Sequence, residues 1–165
     1  MPVVSNTTPL RHLIAIDQER LLPELFAEIT VPRAVHEELT HARTPPKIVR
    51  FLQSPPDWYR IHETPPTHEH PFSFPLDRGE REAILLAEFL HARVLLIDDQ
   101  LGRVAALSRN LVISGTLGVL EDADEKGLLR DFPQILIALK ASGFFLGASL
   151  ERELLARHRA RHASH

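Results

Sequence analysis

At 165 residues, with 44% hydrophobic and 25% charged residues, the chain is long and apolar enough to bury a core as one folded domain. It contains no cysteine, which excludes disulfides, thiolate catalysis and cysteine-ligated zinc, and its net charge of −3 gives no overall attraction to nucleic acid. Neither a signal peptide nor a membrane-spanning run of ~18 apolar residues is visible, so we expect a cytoplasmic protein with no membrane association.

The hydrophobic pattern along the chain predicts short strands that alternate with helices. Thr7 or Thr8 is expected to cap the first helix, with Pro9 at its first position. A continuous apolar run over 94–97 is typical of a strand that is covered on both faces. The predicted strands are 3–5, 28–31, 58–62, 94–97 and 111–114, and the predicted helices are 9–16, 21–27, 33–42, 47–53, 77–91, 100–109, 117–129, 133–141 and 150–161.

This alternation predicts a three-layer α/β/α sandwich with a mainly parallel central sheet, formed by a single domain over 1–165. Residues 63–75 are rich in proline and have no period, so we expect a mobile loop there. Residues 146–165 are expected to form a C-terminal helix and a basic tail. The arginines of that tail either belong to a frayed helix end or contact RNA phosphates.

Oxygen-bearing side chains follow the predicted strands or lie near the start of the helices beside them. Ligands of parallel α/β sheets bind outside the carboxyl ends of the strands, so we expect these side chains to converge at one edge. Carboxylate and amide oxygens without thiols suit a hard cation, Mg²⁺ or Mn²⁺. The candidate ligands are Asn6, Glu38, Glu80, Glu82, Asp98 and Asp99, of which Glu38, Glu80, Glu82 and Asp99 are also candidate catalytic residues.

The sequence leaves several choices among these acids open. Helical spacing places Glu38 nearer than Glu37 to the buried stripe of its helix, which favours Glu38. It does not distinguish Glu80 from Glu82. A purely structural interpretation is also open, because acids in a first helical turn complement the helix dipole, and Asp98 or Asp99 can cap the helix that follows.

Three other motifs have weaker functional interpretations. His36 and His41 lie five residues apart instead of the four that a zinc-protease motif requires, so they point to different sides of the helix. His68 and His70 are interpreted as solvated loop residues. Residues 144–146 are interpreted as a core or dimer contact in preference to a platform for base stacking.

Over roughly residues 1–145 the ordered motifs resemble a PIN domain, and in particular a PIN-like branch related to the toxin ribonucleases of toxin–antitoxin pairs. The resemblance rests on five segments taken together and in order. These are VVSNTTPL, VPRAVHEEL, LDRGEREAILLA, LLIDDQLGRVA and LVISGTLGVL.

The resemblance implies a metal-dependent endoribonuclease, with Mg²⁺ or Mn²⁺ held by acids at four places. By position Glu38 matches the second acid, Glu80 or Glu82 the third, and Asp99, alone or together with Asp98, the fourth. It further implies an RNA substrate, a small antitoxin as a partner protein, and a homodimer.

Asn6 departs from this pattern, because the family usually has an aspartate there. An amide oxygen can still ligate a cation, but it supplies no negative charge. Two alternatives to the active enzyme therefore remain. One is a weak or inactive PIN-like domain that binds RNA or a protein, and the other is an α/β interaction module with an unrelated small-molecule site.

Overall fold

Five parallel strands form the centre of the molecule, and nine helices surround them in the part of the chain that the structure describes. The computed structural model describes residues 1–41, 43–66, 72–73 and 75–163, so His68 and His70 lie outside the described residues. The strands are β1 (Val3–Ser5), β2 (Ile29–Pro32), β3 (Tyr59–His62), β4 (Val94–Leu96) and β5 (Ile113–Ser114). The helices are α1 (Thr7–Ala15), α2 (Leu21–Phe26), α3 (Arg33–Leu39), α4 (Pro46–Gln53), α5 (Arg78–Phe89), α6 (Gln100–Ser108), α7 (Thr116–Glu125), α8 (Phe132–Ala141) and α9 (Ala148–His162).

The sheet has the strand order β3-β2-β1-β4-β5, and every pairing is parallel. The first strand of the chain is therefore the central one. Val4 is aligned with Thr30 of β2 on one side and with Leu95 of β4 on the other. The chain winds away from β1 in both directions, so the sheet has its topological switch point beside this strand.

Alternation along the central strands divides the apolar core between the two faces of the sheet. Val3 and Leu96 belong to one cluster of buried side chains, while Val4 and Leu95 belong to a second cluster on the opposite face. This is the period of two that a strand imposes on its side chains. The predicted α/β/α sandwich with a parallel central sheet is confirmed.

Several predicted helix ends were wrong. Helix α1 begins at Thr7 with Asn6 at its N-cap, one residue before the predicted cap. Helix α3 ends at Leu39, short of the predicted 42. Helix α7 ends at Glu125, four residues early, because Gly127 adopts a left-handed conformation with a φ of +72°.

The carboxyl ends of β1, β2 and β4 lie at the same edge of the sheet, since these strands are parallel neighbours. Helix α5 packs against both β1 and β2, and also against α3. That arrangement brings the last turn of α3 and the first turn of α5 toward the end of β1. Among the described helices, none combines the length and the apolar character needed to cross a membrane.

Candidate metal centre at the carboxyl edge of the sheet

Asn6 occupies the end of the central strand and is 3% exposed. Its backbone N–H donates to the carbonyl oxygen of Leu96 over 2.9 Å, which continues the sheet pairing by one residue. Its side chain does not cap α1, and the amide oxygen Oδ1 has no hydrogen-bond partner among the described residues. A buried oxygen without a partner is costly, so this atom is suited to a ligand.

Three side-chain oxygens surround Gly79 in the first turn of α5. A Cβ atom added to Gly79 would lie 3.4 Å from Oε1 of Glu38, 3.6 Å from Oδ1 of Asp77 and 3.7 Å from Oδ1 of Asn6. These oxygens come from the end of β1, from α3 and from the N-cap of α5. Because residue 79 is glycine, the space between them stays free of side chain.

Glu80 connects this group to Asp99. Burial is the main reason that the pKa of Glu80 is raised to about 7, and the negative charges of Asp77 and then Asp99 add to the effect. Asp77 also accepts a hydrogen bond from the Glu80 backbone N–H over 2.8 Å, which caps α5. A cation placed between these carboxylates would relieve their mutual repulsion.

Glu82 forms an ion pair with Arg78, outside this group of oxygens. Its Oε2 accepts a hydrogen bond of 2.8 Å from Nε of Arg78, and Nη1 of Arg78 donates to Glu37 over 3.0 Å. The structure thus separates the two alternatives left open in α5, since Glu80 lies beside Asp77 and Asp99 while Glu82 and Glu37 share Arg78. The roles of Glu38 and Glu80 as ligands stay predictions.

Asp98 and Asp99 also differ in how far other groups already occupy their carboxylate oxygens. Both carboxylate oxygens of Asp98 are used by Thr116, whose backbone N–H lies 2.8 Å away and whose hydroxyl lies 2.6 Å away. Asp99 caps α6 through a 2.9 Å hydrogen bond from Gly102 N–H to its Oδ2, and it remains exposed. The helix cap expected from the sequence is therefore present at Asp99. Asp99 is also the member of the pair that lies beside Glu80.

Asp77 was not among the predicted site residues, although its carboxylate is part of the group. The sequence signal was Asp77 three residues before Glu80, which is typical of a helix cap. Capping uses Oδ1 for the Glu80 N–H, and the same oxygen faces the space beside Gly79. A capping residue at the edge of a parallel sheet can therefore also belong to a ligand site.

The residues present fit a hard divalent cation. Asn6 Oδ1 is a buried oxygen with no partner among the described residues, and it lies with two carboxylate oxygens around the position that a Cβ of residue 79 would occupy. The donors are all oxygen, as Mg²⁺ and Mn²⁺ prefer. Among the described His, Asp and Glu side chains, no three of the predicted carboxylates have ligand atoms within 4.8 Å of one another. Such a centre would therefore use few protein ligands and several waters.

A cavity of about 620 Å³ adjoins Asp98 and Asp99. Arg103, His12 and Phe145 also line it. Phe145 is 91% exposed, which excludes the core role proposed for it from the sequence, whereas Phe144 packs against the core and Leu146 is buried. Burial lowers the pKa of His12, against the opposing effect of the Asp98 charge.

The C-terminal basic segment is an ordered part of the fold up to His162. Helix α9 reaches that residue, and its basic side chains face acids of α7, so the frayed end expected from the sequence was wrong. His158 and His162 contact the buried Asp124, and these three form a group that could hold a metal ion. None of the three was predicted to be a ligand.

The comparison with protein families agrees with this architecture. A family model described as a PIN domain, DUF3368, matches residues 2–160. The chain belongs to the PIN-domain family. PIN domains generally use divalent metals and have a nuclease-like fold, which accords with the oxygen-rich centre described above. No curated protein and no solved structure matched the chain.

Proposed function

We propose that this PIN domain is a metal-dependent endoribonuclease. One observation carries the proposal: the buried, unpartnered Oδ1 of Asn6 faces the same small space as Oε1 of Glu38 and Oδ1 of Asp77, beside Gly79. Glu80 and the exposed Asp99 lie beside this group of oxygens. A nuclease-like fold with such a centre at the carboxyl edge of its sheet is suited to phosphodiester hydrolysis.

Asn6, Glu38, Glu80 and Asp99 would hold Mg²⁺ or Mn²⁺, with Asp77 beside them. Asp98 and Glu82 are weaker candidates because Thr116 and Arg78 already occupy their oxygens. When bound, the ion activates water and stabilises the charge on the leaving oxygen. Without the ion, burial and the neighbouring acids raise the pKa of Glu80 to about 7, so binding of a cation there would be coupled to release of this proton near neutral pH.

The chain's own residues also provide a place for RNA. The cavity beside Asp99 offers an exposed aromatic ring at Phe145 and a guanidinium at Arg103. Single-stranded nucleic acid is bound by this combination of stacking surface and positive charge. Since the overall charge is −3, contact with RNA depends on such local groups.

The proposal extends to a toxin of a toxin–antitoxin pair, acting in the cytoplasm as a homodimer and inhibited by a small antitoxin protein. Support for a protein partner or a second copy comes from apolar side chains that α6 and the segment before β5 leave in solvent. They are Leu101, Val104, Leu107 and Val112.

Cleavage of single-stranded RNA by the purified chain with Mn²⁺ tests the nuclease. Glu38→Gln and Asp99→Asn should each lower the cleavage rate by roughly 100-fold or more, the order expected when a preorganised electrostatic contact is lost. Glu37→Gln is the matched control, because its carboxylate is bound to Arg78 outside the centre and its rate should stay close to that of the wild type.

The second candidate function is a weak or inactive PIN domain that binds RNA or protein, and the neutral side chain of Asn6 favours it. Asn6→Asp decides between the two. If the wild type leaves RNA intact with Mn²⁺ and Asn6→Asp cleaves it, the binding module is correct. If the wild type cleaves and Asn6→Asp only tightens the ion, the enzyme is correct. If neither the wild type nor Asn6→Asp cleaves RNA, the nuclease proposal is wrong.

A further inference from the structure

The C-terminal helix carries a second cluster that the centre beside Gly79 does not use. His158 and His162 lie four residues apart on α9 and therefore on one side of it. Nδ1 of His158 is 2.9 Å from Oδ2 of Asp124, and Nε2 of His162 is 3.0 Å from Oδ1. We propose that Asp124, His158 and His162 bind a transition-metal ion of the zinc type, which fastens α9 to the rest of the domain.

The three ligand atoms lie near the spacing of such a site. They are within 4.8 Å of one another, and neighbouring ligands of tetrahedral zinc lie roughly 3.3–3.6 Å apart when each bond is ~2.0–2.2 Å. Two imidazole nitrogens and one carboxylate oxygen form a zinc ligand set, and the fourth position is left for water. Small side-chain shifts are enough to admit the ion.

The imidazoles can become ligands without a net loss of protons. In the absence of an ion, each ring nitrogen that faces Asp124 donates to the carboxylate, which can only accept. A neutral imidazole can carry its proton on the other nitrogen instead. A change of tautomer at both rings therefore exposes the lone pairs of His158 Nδ1 and His162 Nε2 toward the ion.

The charged neighbours are compatible with this arrangement. Arg161 donates from Nε to Oδ2 of Asp124 over 2.9 Å and from Nη1 to Glu121 over 3.1 Å, and Arg157 also binds Glu121. The two guanidiniums are thus balanced by two carboxylates. With the ion on the Oδ1 side, the bond from Arg161 to Oδ2 orients the ligating carboxylate, as outer hydrogen bonds do in other metal sites.

Helix α9 buries little apolar surface. Of its 15 residues, only Leu154 is fully buried, Leu155 packs partly buried against the core, and ion pairs to α7 and α8 supply other contacts. Asp124, by contrast, is 2% exposed and lies on α7, which packs on the sheet. An ion between α7 and α9 would supply attachment that the apolar surface of α9 does not.

A titration of the full chain with Co²⁺, followed by visible absorption, tests the site. Four-coordinate Co²⁺ with imidazole ligands absorbs far more strongly than Co²⁺ in an all-oxygen centre. We expect one equivalent to give the intense bands and Zn²⁺ to abolish them. The bands should be lost in His162→Ala and retained in His41→Ala, an exposed histidine elsewhere on the surface. They should also be retained in Glu38→Gln, which alters the other centre.

Intense bands that persist in His162→Ala, or their absence in the wild type, would overturn the proposal. His162→Gln provides a second variant if the alanine variant does not fold, as judged by circular dichroism. An independent readout is the midpoint of thermal unfolding, which Zn²⁺ should raise in the wild type and in Glu38→Gln but not in either His162 variant. This test does not depend on nuclease activity.

Discussion

At the scale of single residues, the environment of Glu80 makes the stability of the fold depend on pH. Its pKa is raised from an ordinary 4.5 to about 7, chiefly by burial and then by Asp77 and Asp99. The folded state therefore binds this proton more tightly than the unfolded state does. Without a divalent ion, the free energy of unfolding therefore falls as the pH rises from about 4.5 to about 7.

Glu80→Gln should remove this part of the pH dependence. Urea unfolding without metal, repeated between pH 5 and 8, should show the wild type losing stability relative to Glu80→Gln as the pH rises. Affinity for Mn²⁺ should increase over the same interval in the wild type, since the ion competes with the proton. Parallel stability curves for the two proteins would contradict the assignment of this shift to Glu80.

The exposed ring of Phe145 leads to a prediction about RNA. Phe145→Ala should weaken binding of single-stranded RNA by about 1–3 kcal/mol, the range found when a stacking ring is removed. Phe89→Ala is the matched control, because Phe89 is also exposed, at 56%, but does not line the cavity. Fluorescence anisotropy with a labelled RNA measures both. Equal affinities for the two variants would show that RNA does not use this cavity.

At the scale of elements, Asp98 and Thr116 join the end of β4 to the start of α7. Thr116 is fully buried, and a Cβ added to the neighbouring Gly115 would lie only 2.5 Å from Asp98 Oδ1, so the junction is tightly packed. Asp98 therefore holds the end of β4, and with it the neighbouring Asp99, against the start of α7.

Thr116→Val should lower the free energy of unfolding by about 1–3 kcal/mol, because it leaves an oxygen of Asp98 without its partner. Thr40→Val serves as the control. The Thr40 hydroxyl is exposed and donates only to the Glu37 carbonyl, so its loss should stay within ~0.5 kcal/mol. Urea unfolding of both proteins gives the comparison, and similar losses in the two would refute the role of the junction.

At the scale of the whole molecule, metal binding at the proposed centre would be coupled to stability. Its proposed ligands follow β1, lie on α3 and α5, or precede α6, and these elements meet only in the folded state. An ion bound there should stabilise the fold by about 2.7 kcal/mol at 100 times its dissociation constant. Thermal unfolding with Mn²⁺ should show a raised midpoint that a chelator reverses, and a larger rise in Asn6→Asp. An unchanged midpoint at saturating Mn²⁺ would contradict a metal centre.

The fold could be predicted from sequence because local patterns determine it. Uninterrupted apolar runs such as 94–97 indicated buried parallel strands, and helical spacing was enough to prefer Glu38 over Glu37. Helical spacing could not distinguish Glu80 from Glu82. That choice depends on Arg78, which binds Glu82 and Glu37 from two different helices.

The remaining site features depend on partners that are distant in the chain. Asp98 is occupied by Thr116, 18 residues away, and His158 is bound to Asp124, 34 residues away. The four-residue spacing of His158 and His162 is visible in the sequence, but nothing there names the acid that they share. Pairings of this kind are set by the packing of α7 and α9, not by local propensity.

The central position of β1 has a consequence for the order in which the protein folds during synthesis. Strand β1 cannot acquire both of its neighbours until β4 follows, about 90 residues later in the chain, since Val4 pairs with Leu95. Contacts this distant in the chain form slowly. A nascent chain therefore carries Asn6 at the end of a strand with one edge unpaired until β4 and the adjoining Asp99 have been made.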